Sequence, residues 1–429
     1  MYRYTLSMYQ NYEKFASGVL DFAEDSFKIK KMTSRRSDKM KLVFSNRAQS
    51  IEEGIFSVLN TKKEELLKAG RKVYNFSVGT PDFQPPAHIM KAMQEACKDP
   101  ENYKYALADR SEMLEAVKDF YHHRFGVEIE KNQIMSMYGS QEGMAHIGLV
   151  MCDPGDVMLV PNPGYPVFGI GPELMGAKIE TYPLYKENNF IPNFDDIPEE
   201  TARKAKFMII SYPANPVCSV ADDEFYEKAI AFAKKYNVMI LHDNAYSDIV
   251  FGGKAGKSFL SYPGAMEVGI EFYSLSKSYN MTGMRISFAI GNKEIIEAFR
   301  KVRSQIDYGI FLPIQKAAVA ALKGPQDSVK EQCRLYEERN YALCRGLTKI
   351  GWKVPDGQGT MFVWAPIPEN YTSSEKFVLD LMEQTGVIVT PGTAFGDLGE
   401  GYVRMALVHP VEVIEEAIQS IQKSGILEA

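Results

Sequence analysis

Residues 270–285 read Ile-Glu-Phe-Tyr-Ser-Leu-Ser-Lys-Ser-Tyr-Asn-Met-Thr-Gly-Met-Arg. An apolar, strand-like run, Ile270–Tyr273, ends abruptly in Ser274-Leu275-Ser276-Lys277, with Gly283 and Arg285 close behind. The abrupt change from a buried strand to a loop of small hydroxyls and cations repeats elsewhere in the chain. Phe207–Ile210 runs into Ser-Tyr-Pro-Ala-Asn215-Pro216, and Val238–Leu241 runs into His242-Asp243-Asn244-Ala245-Tyr246. Val157–Val160 and Ile286–Ile290 are further short apolar runs, and amphipathic stretches such as Asp222–Lys235 and Lys293–Ile306 lie between them. Short buried strands alternating with helices indicate βαβ units and a mostly parallel sheet.

Ligands of open parallel sheets sit at the carboxyl ends of the strands. One strand ending in a polar residue is an ordinary turn. Asn215, Asp243 with Tyr246, and Lys277 at three such ends form a candidate site. Lys277 taken alone is one of 49 Lys and Arg residues and could belong to a solvated loop. Between small hydroxyls and near an arginine it has a chemical use: a lysine condenses with an aldehyde to a Schiff base, while Ser274, Ser276 and Arg285 hold a phosphate. An aldehyde that carries a phosphate points to pyridoxal 5'-phosphate.

That cofactor is an electron sink tuned by its surroundings, and the remaining candidates fit its parts. A carboxylate beside the pyridine nitrogen favours the protonated ring; Asp243 is the candidate, a helix N-cap the plainer alternative. Asn215 and Tyr246 suit donors to the ring oxygen O3′, although Asn215-Pro216 could be a plain turn. Tyr165, in Asn162-Pro163-Gly164-Tyr165-Pro166, is placed to stack on the ring or to serve as a core tyrosine. Gly139-Ser140-Gln141-Glu142-Gly143 opens a predicted helix, Met144–Met151, and the free amides of a helix start bind phosphate. Ser140 and Gln141 would complete the cup with Arg285. Arg404, inside the apolar run Gly401–Leu407, is a bidentate anchor for a substrate carboxylate or a surface-edge arginine.

The rest of the chain sets bounds. Its 429 residues allow two or three domains, and 45% apolar with 24% charged residues is ordinary for a globular protein. A net charge of −6 leaves no electrostatic footprint for nucleic acid. No apolar run reaches 18 residues, so no membrane span is expected. Five scattered cysteines without a C-x-x-C pair fit free thiols in a reducing cytoplasm. Six histidines show no metal-ligand spacing, so no metal site is expected.

Residues 1–39, rich in Tyr, Met and charge and including Lys28-Ile29-Lys30-Lys31, are expected to be an extension that is poorly ordered or mis-started. Met40 is the expected start of the folded part, and a basic binding arm is the competing idea. A helix is predicted over Ile51–Gly70. After about residue 320 the pattern changes to a long helix (Asp327–Ile350), apolar runs at Trp352–Val354 and Gly359–Trp364, a helix (Ser373–Thr385), a strand (Val387–Thr390) and a terminal helix. That pattern predicts a smaller α+β domain.

Taken in order, Ser77-Val78-Gly79-Thr80-Pro81-Asp82-Phe83, Gly139–Gly143, Pro163–Pro166, Asn215-Pro216, Asp243 with Tyr246, Ser274–Lys277, Arg285 and Arg404 resemble the fold-type I class I/II aminotransferases. The resemblance covers the chain from about Val73. Ser274–Gly283 and Asp307–Phe311 are similar to the branch containing LL-diaminopimelate and alanine (glutamate–pyruvate) aminotransferases. It implies an α/β large domain with a mostly parallel seven-stranded sheet between helices (79–318) and a small α+β domain (319–429) joined by an arm (40–78). It also implies a homodimer with shared sites, in which Tyr105 reaches the neighbouring subunit's phosphate and Gly79 lies against the substrate. The expected substrates are an L-amino acid and a 2-oxo acid: LL-diaminopimelate, alanine or glutamate with 2-oxoglutarate or pyruvate.

Two loops depart from the family pattern. Ala106-Leu107-Ala108-Asp109-Arg110 follows Tyr105 where many relatives have a glycine and then Leu-Arg-Glu-Ala, and Val217-Cys218 follows Asn215-Pro216 where many have Thr-Gly. Both bear on specificity. The same catalytic core would serve a β-eliminating carbon–sulfur lyase, and the same fold serves cofactor-sensing regulators. The latter carry a winged helix ahead of the fold, and residues 1–39 show no helix-turn-helix pattern.

Overall fold

The computed structural model describes residues 42–49, 51 and 54–428; the expected extension, 1–39, lies outside them. The chain divides into two compact units, Met1–Glu52 and Glu53–Ala429. The described part of the first contains one short helix, Asn46–Gln49. All that follows concerns the second.

Its twelve strands are β1 (Tyr74–Asn75), β2 (Ile134–Met137), β3 (Val157–Asn162), β4 (Lys178–Pro183), β5 (Ala205–Ser211), β6 (Met239–Asn244), β7 (Gly269–Ser274), β8 (Ser287–Gly291), β9 (Phe362–Pro366), β10 (Val387–Ile388), β11 (Thr390–Pro391) and β12 (Tyr402–Ala406). Seven form one sheet in the order β2-β8-β7-β6-β5-β3-β4. Every neighbouring pair is parallel except those of β8, which runs against both β2 and β7. The segment that bears Lys277 turns the chain back through a four-residue helix, Leu275–Ser278, in place of a crossover helix, so β8 returns antiparallel.

Alternate residues of these strands feed opposite faces. Phe207, Ile209, Leu241 and Phe272 fill one core; Met208, Ile210, Ile240 and Phe288 fill the other. Helices cover both faces, and their ends have local causes. Asp222 accepts from the Phe225 amide to start Asp223–Tyr236, and Asn237 closes that helix at φ 57°. β4 differs: five of its six residues are exposed or half-buried on the sheet's edge, with Lys178 and Glu180 outward, as an edge strand requires.

A second sheet, β11-β12-β9, is antiparallel, and β1 pairs in parallel with β10. The 23-residue helix Asp327–Lys349 precedes it. The predicted strand Val387–Thr390 is two two-residue strands that serve different sheets, with Val389 between them. The predicted helix Met144–Met151 starts earlier, at Ser140, because Gly139 at φ 90° sets its cap. Among the described residues no helix is long and apolar enough to cross a membrane.

Candidate active site

The register of the large sheet sends most of the candidate residues to one edge. Ser211 pairs with Asp243, Asn244 with Tyr273, Ser274 with Ser287 and Met137 with Ser287. The loops that leave this edge therefore carry Gly139–Gln141, Tyr165, Asn215, Asp243 with Tyr246, Ser274–Lys277 and Arg285. Arg404 comes from β12 of the second sheet.

Lys277 donates from Nζ to the Gly79 carbonyl at 2.6 Å. Burial, with Arg404 and then Arg285 nearby, brings its pKa down to about 8. Asp243 sits inside β6 and caps no helix. It is 7% exposed, and its Oδ1 is buried without a hydrogen-bond partner. Burial raises its pKa to about 7; His242 opposes that rise and Glu271 adds to it.

Arg404 is 5% exposed, so it is not a surface-edge arginine. Nη1 donates to Asn215 Oδ1 at 2.8 Å and Nη2 to the Ser77 carbonyl at 3.4 Å. The Phe362 and Phe395 rings lie 4.1 and 4.5 Å from the guanidinium carbon. Its Nε has no partner, and burial lowers its pKa to about 10. A buried cation held only by neutral groups is suited to bind an anion.

Tyr165 ties the cluster together. Burial raises its pKa, Arg404 and Arg285 pull it down, and Asp243 pushes it up, so all three charges act at one half-buried ring. Tyr246 is buried with its ring 5.9 Å from that of Phe362, and burial raises its pKa as well. On the other side Gly139 faces Arg285: a Cβ there would come within 2.2 Å of Nη2. The Ser140 hydroxyl is buried and unpartnered, at the start of a 12-residue helix whose first amides have no partner within it. Ser274 caps the short helix after β7 by accepting from the Ser276 amide.

Tyr105 stands apart from this cluster. It is 77% exposed and rests on Tyr308 at 4.7 Å between ring centroids. Gly79, by contrast, is at the centre: its carbonyl accepts the hydrogen bond from Lys277 Nζ, and a Cβ would meet Phe362 at 2.5 Å.

Several participants went unpredicted. Phe362 and Phe395 wall Arg404, but isolated aromatics in apolar runs give no signal. Gln332, far along the chain, donates to the Lys277 carbonyl at 2.7 Å. Glu271 did leave a signal, a carboxylate in the middle of a buried strand. It faces His242, and neither residue is exposed at all.

The site fits pyridoxal phosphate in three independent ways. An unpartnered carboxylate oxygen, an orphan hydroxyl near a guanidinium at a helix start, and a buried arginine held only by neutral groups all surround a lysine of lowered pKa. The comparisons agree. A model of the family described as aminotransferase class I and II matches residues 71–421. The chain is 42% identical over 379 residues to the LL-diaminopimelate aminotransferase of Dehalococcoides mccartyi strain 195, covering 88% of this chain and 97% of the relative. It is also 42% identical to the enzyme of the same name from Aquifex aeolicus, covering 88% and 98%. Among solved structures it is similar to substrate-bound BacF from Bacillus subtilis, with a TM-score of 0.86, 35% identity and coverage of 89% and 98%.

Proposed function

The chain belongs to the class I and II aminotransferases and is a pyridoxal phosphate-dependent aminotransferase, and from that premise we propose that its amino donor is LL-diaminopimelate. The acceptor is 2-oxoglutarate, with pyruvate the alternative. The name shared by relatives 40–42% identical over nearly their whole length supports the donor. The observation that supports the chemistry is the buried Arg404, held by an amide and a carbonyl and by no carboxylate among the described residues, beside a lysine of lowered pKa.

Bound pyridoxal phosphate supplies an electron sink for the charge left when an amino acid loses its Cα proton. The residues around it divide the remaining work. Arg285, Ser140, Ser274 and Ser276, with Gln141 and the first amides of helix Ser140–Met151, would hold the phosphate. Asp243 would face the ring nitrogen: a carboxylate that is costly to ionise alone becomes favourable beside a cation. Tyr165 would stack on the ring. Asn215 gives its amide oxygen to Arg404, so its NH₂ is the end that donates to the ring oxygen, with Tyr246 as the second donor.

Arg404 would hold the substrate α-carboxylate through two parallel hydrogen bonds, backed by Phe362 and Phe395, which exclude water. Lys277 Nζ would take the Cα proton. At pH 7.5 a pKa of about 8 leaves roughly a quarter of such amines neutral, against about one in a thousand for an unperturbed lysine. Gly79 lends its carbonyl as the resting partner of Nζ.

We also propose a cytoplasmic homodimer in which the exposed Tyr105 reaches the neighbouring subunit's phosphate. An arm (40–78), a large domain (79–318) and a small domain (319–429) make up each subunit. The test is a donor–acceptor panel on the purified protein, read by product amino acids. LL-diaminopimelate with 2-oxoglutarate should give the highest kcat/KM. A hundredfold preference for alanine or aspartate would overturn the donor assignment, and pyruvate with ammonia released without an acceptor would make the protein an eliminating lyase.

A further inference from the structure

Behind Asp243, on the opposite face of β6, lies a polar cluster that no step above uses. His242 is fully buried. Its Nδ1 is 2.7 Å from Glu271 Oε2, and its Nε2 is 2.9 Å from the Tyr212 carbonyl oxygen. A carbonyl can only accept, so Nε2 carries a proton. The Nδ1 partner is a carboxylate ringed by donors: Tyr121 gives its hydroxyl at 2.6 Å, Ser258 its hydroxyl at 2.9 Å and Phe259 its amide at 2.9 Å. Donors to both of its oxygens favour Glu271 as a carboxylate that accepts at each, so Nδ1 carries a proton too. The ring is then an imidazolium.

The remaining surroundings of His242 are the Tyr226 and Phe259 rings, with centroids 5.5 and 6.4 Å away. The titratable groups that act on Asp243 are His242 and Glu271; Tyr165 and Tyr246 face it as well. Without a cation at position 242, two buried carboxylates would stand on neighbouring strands, and one of them would take a proton. With it, Glu271 is balanced in place, and Asp243 is the one carboxylate of the two left for a cationic partner.

We infer that His242 is a positioning residue: an imidazole that donates from both ring nitrogens, locked between Glu271 and the Tyr212 carbonyl, and that favours the ionised form of Asp243 facing a cationic ring nitrogen. It touches neither cofactor nor substrate and acts through Asp243, which presupposes the role of Asp243 proposed above.

Two measurements test it. In ¹⁵N-histidine-labelled protein at neutral pH, with and without cofactor, His242 should show both ring nitrogens protonated. A ring with a single N–H overturns the inference, and this measurement needs no variant. The second is the pH dependence of the apoprotein's affinity for pyridoxamine 5'-phosphate, the cofactor form that has no aldehyde to condense with Lys277. In His242→Gln the acid-side loss of affinity should move up by about one pH unit, giving about tenfold weaker binding near neutrality and recovery at alkaline pH. A wild-type midpoint, or weakening that is uniform with pH, counts against it. Asp243→Asn separates the two ideas. If that variant keeps the wild-type pH profile, the role of Asp243 is wrong; if it loses the profile and His242→Gln does not shift it, only the role of His242 is wrong.

Discussion

Lys277 Nζ donates to the Gly79 carbonyl oxygen at 2.6 Å, which gives the ammonium a neutral acceptor and no counter-ion. The nearby charges are both positive, Arg404 and Arg285. The amine is thus oriented by a backbone group from a distant loop, while its proton is made easy to lose.

That relationship predicts the pH dependence of cofactor uptake. Only the neutral amine condenses with an aldehyde. Association with the apoprotein should therefore quicken about tenfold per pH unit up to about pH 8 and level off above it. A plateau reached only near the ordinary lysine value of about 10.4 would show that burial and the two arginines do not act on Lys277. Lys277→Ala should keep the fold and lose turnover, and borohydride should fix the cofactor on the peptide containing Lys277.

Asp243→Asn should show opposite effects on function and stability. Turnover should drop by orders of magnitude, because a neutral amide no longer favours the protonated ring. The apoprotein should gain stability. The folded pKa of Asp243 is raised from 3.8 to about 7, so its contribution is intact below the unfolded value and is lost as pH rises through 7. At pH 8 the variant should be more stable than the wild-type apoprotein by on the order of a few kcal/mol, and the gap should close towards pH 4. Denaturant unfolding at both pH values measures it; equal stability at pH 8 would mean that Asp243 is not held ionised in the apoprotein.

Gly139→Ala tests the phosphate cup. The residue has φ 90°, and a Cβ would come within 2.2 Å of the Arg285 guanidinium. With ψ 154° the backbone is in an extended, positive-φ region that is essentially reserved for glycine, where alanine costs roughly 1–3 kcal/mol, and Arg285 must move away. We expect cofactor affinity to fall at least tenfold while secondary structure by circular dichroism stays unchanged. Affinity within twofold of wild type would place the phosphate elsewhere.

The sequence made some of this legible and hid the rest for identifiable reasons. β3, β5, β6 and β7 are buried on both faces and stand out as apolar runs, and their polar ends name Asn215, Asp243 and Lys277. β4 has no such run because it is a half-exposed edge, and β2 is only four residues long. The helix predicted from Met144 begins a turn earlier, at Ser140, and includes Gly143. That glycine is needed for close packing, since a Cβ would meet Met137 at 2.4 Å and Phe272 at 2.8 Å. Contacts such as Gln332 to the Lys277 carbonyl span 55 residues and leave no local trace.

Arg404→Lys should separate charge from geometry. The guanidinium is already spoken for on one side, donating to Asn215 and to the Ser77 carbonyl between the rings of Phe362 and Phe395. That hold fixes the plane of the fork and so the orientation in which a carboxylate can meet it. A lysine keeps the charge and loses both the fork and the ring contacts. A bidentate pair in a water-poor site contributes roughly 1.5–3 kcal/mol, so kcat/KM should fall about tenfold to several hundredfold. The loss should be shared by LL-diaminopimelate, alanine and glutamate, because every donor presents the same α-carboxylate. Part of it should appear in kcat, since a carboxylate out of register misplaces Cα relative to Lys277. Loss confined to dicarboxylic donors would move Arg404 to the distal end of the substrate.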